Sequence, residues 1–233
     1  LYTTLGAYAY SCYSTATRDA MAMAELNAVE ELALPLKRAE VLNRNALASR
    51  RDEVLALATG PKADPRLAPF HFFFEEEIFL QSRQMAPELE DLAADLSRSG
   101  GDAWGRLQEA VSSNTSVLWD DRTGERKTIT ELRNLAYDPD RAVRAKAFLL
   151  ELDAWKGVEI PVAAALNGVK GFAVSLNKRR GWKGAIDKSI TQSRMSPATL
   201  DALIGAMEDS LPVFRRYLGA KAAFLGLPKL AFY

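Results

Sequence analysis

Residues 162–178 read VAAALNGVKGFAVSLNK and indicate a helix that another helix can approach closely. Ala164, Gly168 and Gly171 recur at three- and four-residue steps, which places small side chains on a shared helix surface. Pro161 precedes the stretch and predicts a kink or a restart there, because proline removes a backbone hydrogen bond from a helix interior. The small residues Ala163, Ala164, Gly168 and Gly171 are therefore spaced for close contact with another helix.

The N-terminal part of the chain also has a helical pattern. Residues 18–58 are dense in Ala, Leu, Glu and Arg, which are strong helix formers. Pro35 predicts a kink or a division of this segment into two helices. Apolar residues at three- and four-residue steps form one face of it: Leu26, Val29, Leu32 and Leu36.

Paired signals predict where other helices begin and end. An aspartate or serine suits the helix cap and a following proline suits the first helical position. Three such pairs predict helix starts: Asp64-Pro65, Asp138-Pro139 and Ser196-Pro197. Gly100-Gly101 predicts a helix end, and Asp102 is expected to cap the helix that follows.

One segment has the pattern of two short strands. Residues 116–119 and 126–129 flank a turn at Thr123-Gly124, which predicts a β-hairpin. Thr128 and Glu131 then have the spacing of a capping box. The fold class predicted from the residues is all-α, mainly helical, with one small β-hairpin.

Composition and charge restrict the partners. Thirty basic residues balance thirty acidic ones in 233 residues, which gives no indication of nucleic-acid or membrane binding. The single cysteine, Cys12, excludes an intrachain disulfide framework and fits a reducing, cytoplasmic location. The first methionine is Met21, so we expect the true N-terminus to be missing.

Metal and nucleophile patterns are absent from the sequence. His71 is the only histidine, so the chain cannot contain the two imidazoles of His-Glu-x-x-His. Glu75 shares a helix face with His71, but a packed histidine is the favoured interpretation. We therefore expect no catalytic residue and no metal ligand in this chain.

Residues 178–183 form a dense basic run, KRRGWK, with two interpretations. The cations suit the negative end of a helix, with Gly181 as its cap. Alternatively, the cations with Trp182 bind a phosphate backbone or, as the main functional alternative, contact a substrate carboxylate or backbone. The residues alone leave both roles open, with capping favoured.

Several motifs together carry a family resemblance. These are Ala165-Leu166-Asn167-Gly168-Val169-Lys170-Gly171, Asn177-Lys178-Arg179-Arg180-Gly181-Trp182 and Leu225-Gly226-Leu227, in that order. Their order and spacing resemble the oligoendopeptidase F branch of the thimet-oligopeptidase-like zinc peptidases. Similar features precede them, including an aromatic and acidic helix at residues 72–79 and the hairpin.

The resemblance implies the N-terminal lobe of a two-lobed metallopeptidase with a deep cleft for short peptides. It divides the chain into an N-terminal helical segment at 1–113, a hairpin and long-helix segment at 114–190, and the truncated start of the catalytic region at 191–233. The zinc of the parent enzyme belongs to a later segment, so this chain would form a wall of the cleft and be inactive alone. The substrate-cleft candidates are Asn177, Arg180, Trp182 and Lys183. The alternative is a non-enzymatic helical binding or scaffold module.

The C-terminal end is expected to be an association surface. If a catalytic lobe is missing, apolar side chains of residues 214–232 should remain exposed, which isolated monomers seldom tolerate over large areas. The expected partners are short peptides, and either the missing lobe or another copy of the chain at this end.

Overall fold

The protein is described by a computed structural model that covers residues 2–61 and 63–233. The helices of its first half are α1 (Tyr2–Thr15), α2 (Ala20–Ser49), α3 (Arg51–Ala58), α4 (His71–Gln81), α5 (Pro87–Ser97) and α6 (Ala103–Asn114). They are followed by β1 (Ser116–Asp120), β2 (Glu125–Thr128), α7 (Ile129–Asn134), α8 (Arg141–Gly157), α9 (Glu159–Arg179), α10 (Ala185–Gln192) and α11 (Pro197–Phe224). The predicted fold class, mainly helical with one small hairpin, is confirmed.

The described residues form two compact units, each built from two separate segments of the sequence. The first contains the described residues up to Thr115 together with Val158–Trp182, and the second contains Ser116–Gly157 and Lys183–Tyr233. Helix α9 therefore packs with the N-terminal helices although the whole of the hairpin and α8 separates them in sequence. The predicted assignment of 1–113, 114–190 and 191–233 to family segments stays a prediction.

The start of the first unit is a helical pair with a small core. Asp19 caps α2, because its side chain accepts hydrogen bonds from the N–H groups of Met21 and Ala22. Helix α2 continues through Pro35 without division. The core between the first two helices is formed by Ala9, Tyr13, Ala22, Leu26 and Val29.

The predicted helix end at Gly100-Gly101 is wrong. A five-residue π-helical segment, Arg98–Asp102, joins α5 directly to α6. The Asp102 side chain makes no cap hydrogen bond and instead accepts one from Ser97 Oγ at 3.1 Å. The glycines are needed for packing: a Cβ at Gly101 would lie 2.8 Å from the ring of Phe172.

Two of the three predicted proline starts are also displaced. After Asp64 the chain makes a turn and a short 3-10 helix, Ala68–Phe70, before α4, because the Asp64 carboxylate accepts from the Arg66 N–H and holds a local turn. Helix α8 begins at Arg141, not at Pro139. The capping contact there is made by Asp140, whose carboxylate accepts from the N–H of Ala142 at 2.8 Å.

Three further local predictions are confirmed, those of the hairpin, the capping box and the helix start at Ser196-Pro197. Strands β1 and β2 pair antiparallel, and Thr128 and Glu131 form both hydrogen bonds of a capping box at the start of α7. Ser196 caps α11 through the N–H of Thr199, with Pro197 in the first helical position. Among the described residues no helix is both long enough and apolar enough to cross a membrane.

Side chains of α8 attach the hairpin and α7 within the second unit. Lys146 Nζ donates to the carbonyl oxygen of Trp119 at 2.5 Å and lies 4.3 Å from the centre of its ring. The largely buried carboxylate of Glu151 accepts two hydrogen bonds from Arg133 of α7 and one from Trp155. Polar contacts of this kind compensate for the small apolar area of a two-stranded hairpin.

The predicted close helix pair is formed by α6 and α9. The indole ring of Trp104 lies against the backbone of Gly168, and a Cβ at that position would be 2.6 Å from three of its ring atoms. One turn further along α9, Phe172 packs on Gly100 and Gly101. Of the glycines in the stretch quoted first, Gly168 therefore sets how near the two helices lie, while Gly171 has open space around it.

Substituting Gly168 with alanine should destabilise the first unit by about 1–3 kcal/mol, because the added methyl group overlaps the ring of Trp104. Chemical denaturation followed by circular dichroism measures the change. Gly171→Ala is the matched control in the same helix, since a Cβ there meets nothing within 4 Å. It should stabilise the helix by about 0.5–1 kcal/mol, and equal losses in both variants would contradict the packing argument.

Candidate functional site

The basic run at the end of α9 forms a helix cap. Gly181 has a φ of +71°, a backbone conformation that glycine adopts without strain. Its N–H donates to the carbonyl of Lys178 at 3.3 Å, and the N–H of Trp182 donates to the carbonyl of Asn177 at 3.0 Å. This hydrogen-bond pair is a Schellman motif, and it confirms the predicted capping role of Gly181.

Arg180 is held by a buried carboxylate from another helix. Its Nε and Nη2 donate to Glu90 Oε1 and Oε2 of α5 at 3.0 and 2.6 Å. The Glu90 side chain is 7% exposed and that of Arg180 is 26% exposed. Glu90 Oε1 also accepts from the N–H of Met85 at 3.0 Å. The paired geometry thus satisfies both oxygens of a carboxylate that is removed from water.

These contacts change the acidity of Glu90. Burial raises the pKa of its carboxyl, but the hydrogen bonds from Arg180 and from the Met85 N–H outweigh burial, so the pKa is lowered overall. Glu90 therefore keeps its charge to a lower pH in the folded chain than an unperturbed glutamate does.

Trp182 is packed between an arginine and a phenylalanine. The guanidinium carbon of Arg83 lies 5.2 Å from the centre of the Trp182 ring, and Arg83 Nη1 donates to the carbonyl of Gly181. Phe79 of α4 meets the same indole edge-on, with ring centres 6.4 Å apart. Trp182 is 9% exposed. The end of α9 is thus fixed to the α4–α5 region by an ion pair, a hydrogen bond, a cation–π contact and an edge-to-face aromatic contact.

The remaining two candidates differ in their surroundings. Asn177 Oδ1 is buried and has no hydrogen-bond partner among the described protein atoms. The Lys183 side chain is exposed, while its backbone N–H donates to Asp187 at 3.1 Å. Asn177, Arg180 and Trp182 belong to the first unit. Lys183 is the first residue of the C-terminal segment of the second unit. Their predicted role in a substrate cleft stays a prediction.

Sequence reasoning missed the residues that hold this end of α9. Glu90 and Arg83 lie about ninety residues before their partners. In the structure Glu90 and Ala93 share the buried face of α5, but no signal in the sequence distinguishes Glu90 from the other acidic residues of that helix. Nothing in the sequence indicates which cation the carboxylate meets.

The described residues do not form a metal centre. Across residues 2–61 and 63–233, no group of three or more His, Cys, Asp or Glu side chains is placed to hold a metal ion. His71 Nε2 lies 3.2 Å from Glu75 Oε1, as their shared helix face predicts. With one histidine in the chain, these residues do not fit a zinc site of the usual composition.

Comparisons with known proteins identify relatives of the fold. Residues 61–115 match the family model described as Oligopeptidase F. The structure is similar to the crystal structure of oligoendopeptidase-F from Enterococcus faecium, with a TM-score of 0.81 and 18% sequence identity. That match covers 98% of this chain and 46% of the other, so this chain spans less than half the length of the similar protein. No curated protein matches the chain.

Replacing Glu90 with glutamine should cost about 1–3 kcal/mol of unfolding free energy near neutral pH, because Arg180 loses its charged partner. Because the pKa of Glu90 is lowered in the folded chain, the ion pair stabilises the fold fully at pH values above the ordinary carboxyl pKa of 4.5. This stabilisation is lost as the pH falls through the lowered pKa. The stability difference between wild type and Glu90→Gln should therefore shrink in acid.

Urea denaturation at a series of pH values from 7 down to about 3 measures this difference. Glu88→Gln is the control, since Glu88 is an exposed glutamate on the same helix. Its effect should stay within about 0.5 kcal/mol. A gap between wild type and Glu90→Gln that is constant with pH would contradict the ion-pair argument.

Proposed function

From its confirmed resemblance to the oligoendopeptidase F family, we propose that this chain is the N-terminal portion of a zinc-dependent oligoendopeptidase that hydrolyses short peptides. The chain forms a wall of the substrate cleft and is inactive on its own. The parent enzyme acts in the cytoplasm, which fits a chain with one cysteine.

The observation that carries this proposal is the coverage of the structural match. Nearly all of this chain corresponds to less than half of an oligoendopeptidase-F. The similar protein therefore has more than a hundred residues without an equivalent here, enough for a zinc-binding helix and its surroundings. Since the residues present do not fit zinc, we place the metal and all catalytic residues in that further part.

The end of α9 is proposed as the part of the wall that meets the peptide. Arg180 and Trp182 are engaged by Glu90 and by Arg83, so they position the helix end and shape the surface. Asn177, whose Oδ1 is buried, supports the helix end from within the first unit. Lys183, in the second unit, carries an exposed ammonium group that suits a peptide carboxylate. The four candidates predicted from the sequence therefore have different roles in the proposed wall of the cleft.

The purified chain should neither hydrolyse short internally quenched peptides nor bind stoichiometric zinc, because residues 2–61 and 63–233 form no set of metal ligands. Fluorescence assays with and without a chelator, and elemental analysis after dialysis against zinc, measure these properties. Chelator-sensitive cleavage by the purified chain would overturn the proposed division of labour.

The parent activity has its own test. The reading frame that follows the codon for Tyr233 should encode His-Glu-x-x-His, and the joined polypeptide should cleave the same peptides. A frame without that motif would contradict the peptidase proposal. A non-enzymatic helical binding or scaffold module would then remain.

Helix α11 is the proposed attachment surface for the rest of the enzyme or for a second copy. Of its 28 residues only Ala222 is buried, although the helix is rich in apolar side chains. Phe214 and Leu218, one turn apart, are 60% and 50% exposed. Phe224 and Phe232 are exposed by 89% and 86%. A surface with this much apolar area favours association.

The isolated chain should therefore self-associate at micromolar concentration, and the double variant Phe214→Asp/Leu218→Asp should shift it toward monomer. Analytical ultracentrifugation measures the distribution. Leu36→Asp is the control, since Leu36 on α2 is 49% exposed and matches Leu218. A monomeric wild type, or an equal effect of the control, would count against α11 as the association surface.

A further inference from the structure

Helices α1 and α6 are joined by polar contacts at two levels. Tyr10 Oη donates to Glu109 Oε1 at 2.5 Å. Just beyond the end of α1, the hydroxyls of Thr17 and Ser113 are 2.8 Å apart, and Asn114 Nδ2 donates to Thr17 Oγ1 at 3.0 Å. Tyr10 therefore reaches Glu109 of α6, and the turn that follows α1 reaches the C-terminal end of α6.

Tyr13 lies between these two levels. It follows Tyr10 by three residues, so the two rings are neighbours on one face of α1. Side chains of a helix lean toward its N-terminus, which directs the Tyr13 hydroxyl back toward the level of Glu109. Tyr13 is fully buried, at 0% exposed, and belongs to the core between α1 and α2.

Two buried oxygens of this region lack a partner among the described protein atoms. They are Tyr13 Oη and Glu109 Oε2. One is a hydroxyl that needs an acceptor, and the other is a carboxylate oxygen that needs a donor. An unmade hydrogen bond at a fully buried hydroxyl costs free energy, so buried groups of this kind are nearly always satisfied by protein or by water.

The charges around Tyr13 agree with this placement. Burial raises the pKa of Tyr13, the nearby Glu109 carboxylate raises it further, and Arg106 acts in the opposite direction. Arg106 is itself occupied, since it donates to Glu30 at 2.9 and 3.0 Å and to the carbonyl of Arg98. Tyr13 and Glu109 therefore remain as the pair in need of a bridge.

We propose that a buried water-binding site lies between α1 and α6, formed by Tyr13 Oη and Glu109 Oε2. The Tyr13 hydroxyl donates to the water, and the water donates to the carboxylate oxygen. Glu109 then accepts from Tyr10 directly on one oxygen and from Tyr13 through water on the other. The bound molecule is a structural ligand of the kind that fills polar gaps in protein interiors.

The test combines a high-resolution crystal structure of the full chain with a pair of single-atom substitutions. The crystal structure should show solvent density within hydrogen-bond distance of both Tyr13 Oη and Glu109 Oε2. The melting temperature of Tyr13→Phe should fall by about 2–4 °C, since the variant loses the donor to the water and leaves Glu109 Oε2 unsatisfied.

The outcomes separate the site from its alternatives. If Tyr13 Oη simply lacks a partner, Tyr13→Phe should leave the melting temperature unchanged or raise it, and the proposal is overturned. A direct Tyr13–Glu109 hydrogen bond in the crystal structure also overturns it. Tyr10→Phe is the matched control, because it removes the direct bond to Glu109 and should leave the solvent density in place.

Discussion

The first unit depends on how closely α9 approaches α6. The ring of Trp104 lies on Gly168 of α9, and the ring of Phe172 lies on Gly100 and Gly101 in the segment that precedes α6. Because no side chain separates the backbones at these points, the rings themselves fill the interface. This contact places α9 in the first unit, although the hairpin and α8, which precede α9 in the sequence, belong to the second unit. The cap at Gly181 and the ion pair with Glu90 then fix the last turn of the same helix.

Local chemistry was predictable from the sequence because its partners are near in the chain. The capping box of Thr128 and Glu131, the Ser196 cap and the Gly181 cap each involve residues within five positions of one another. The helix starts at residues 64 and 138 were misplaced by the same reasoning. An aspartate followed by proline can hold a short turn as well as a helix, and the choice depends on what the next residues donate.

Long-range pairing was not predictable by these rules. Arg180 was recognised as a cation at a helix end, but its buried partner Glu90 carries no distinguishing signal. Gly100-Gly101 were interpreted as a helix end because glycine is unfavourable in a helix interior. Their packing against Phe172 reverses that preference, and only the three-dimensional arrangement reveals it. For the candidate site, the sequence identified the residues of the α9 end and missed the residues that hold them.

The π-helical segment Arg98–Asp102 has a consequence for how this chain tolerates change in length. Its hydrogen bonds span one residue more than those of an α-helix, so it behaves as a one-residue insertion within a continuous rod. Successive residues of an α-helix are rotated by about 100° around the helix axis, and the π segment takes up one extra residue within such a turn. Deletion of a single residue here would therefore convert the segment to ordinary α-helix and keep Trp104 of α6 on the side that faces Gly168. The spacing between α5 and α6 can thus shorten by one residue in this chain, whereas the glycines that lie against Phe172 cannot be exchanged for larger residues.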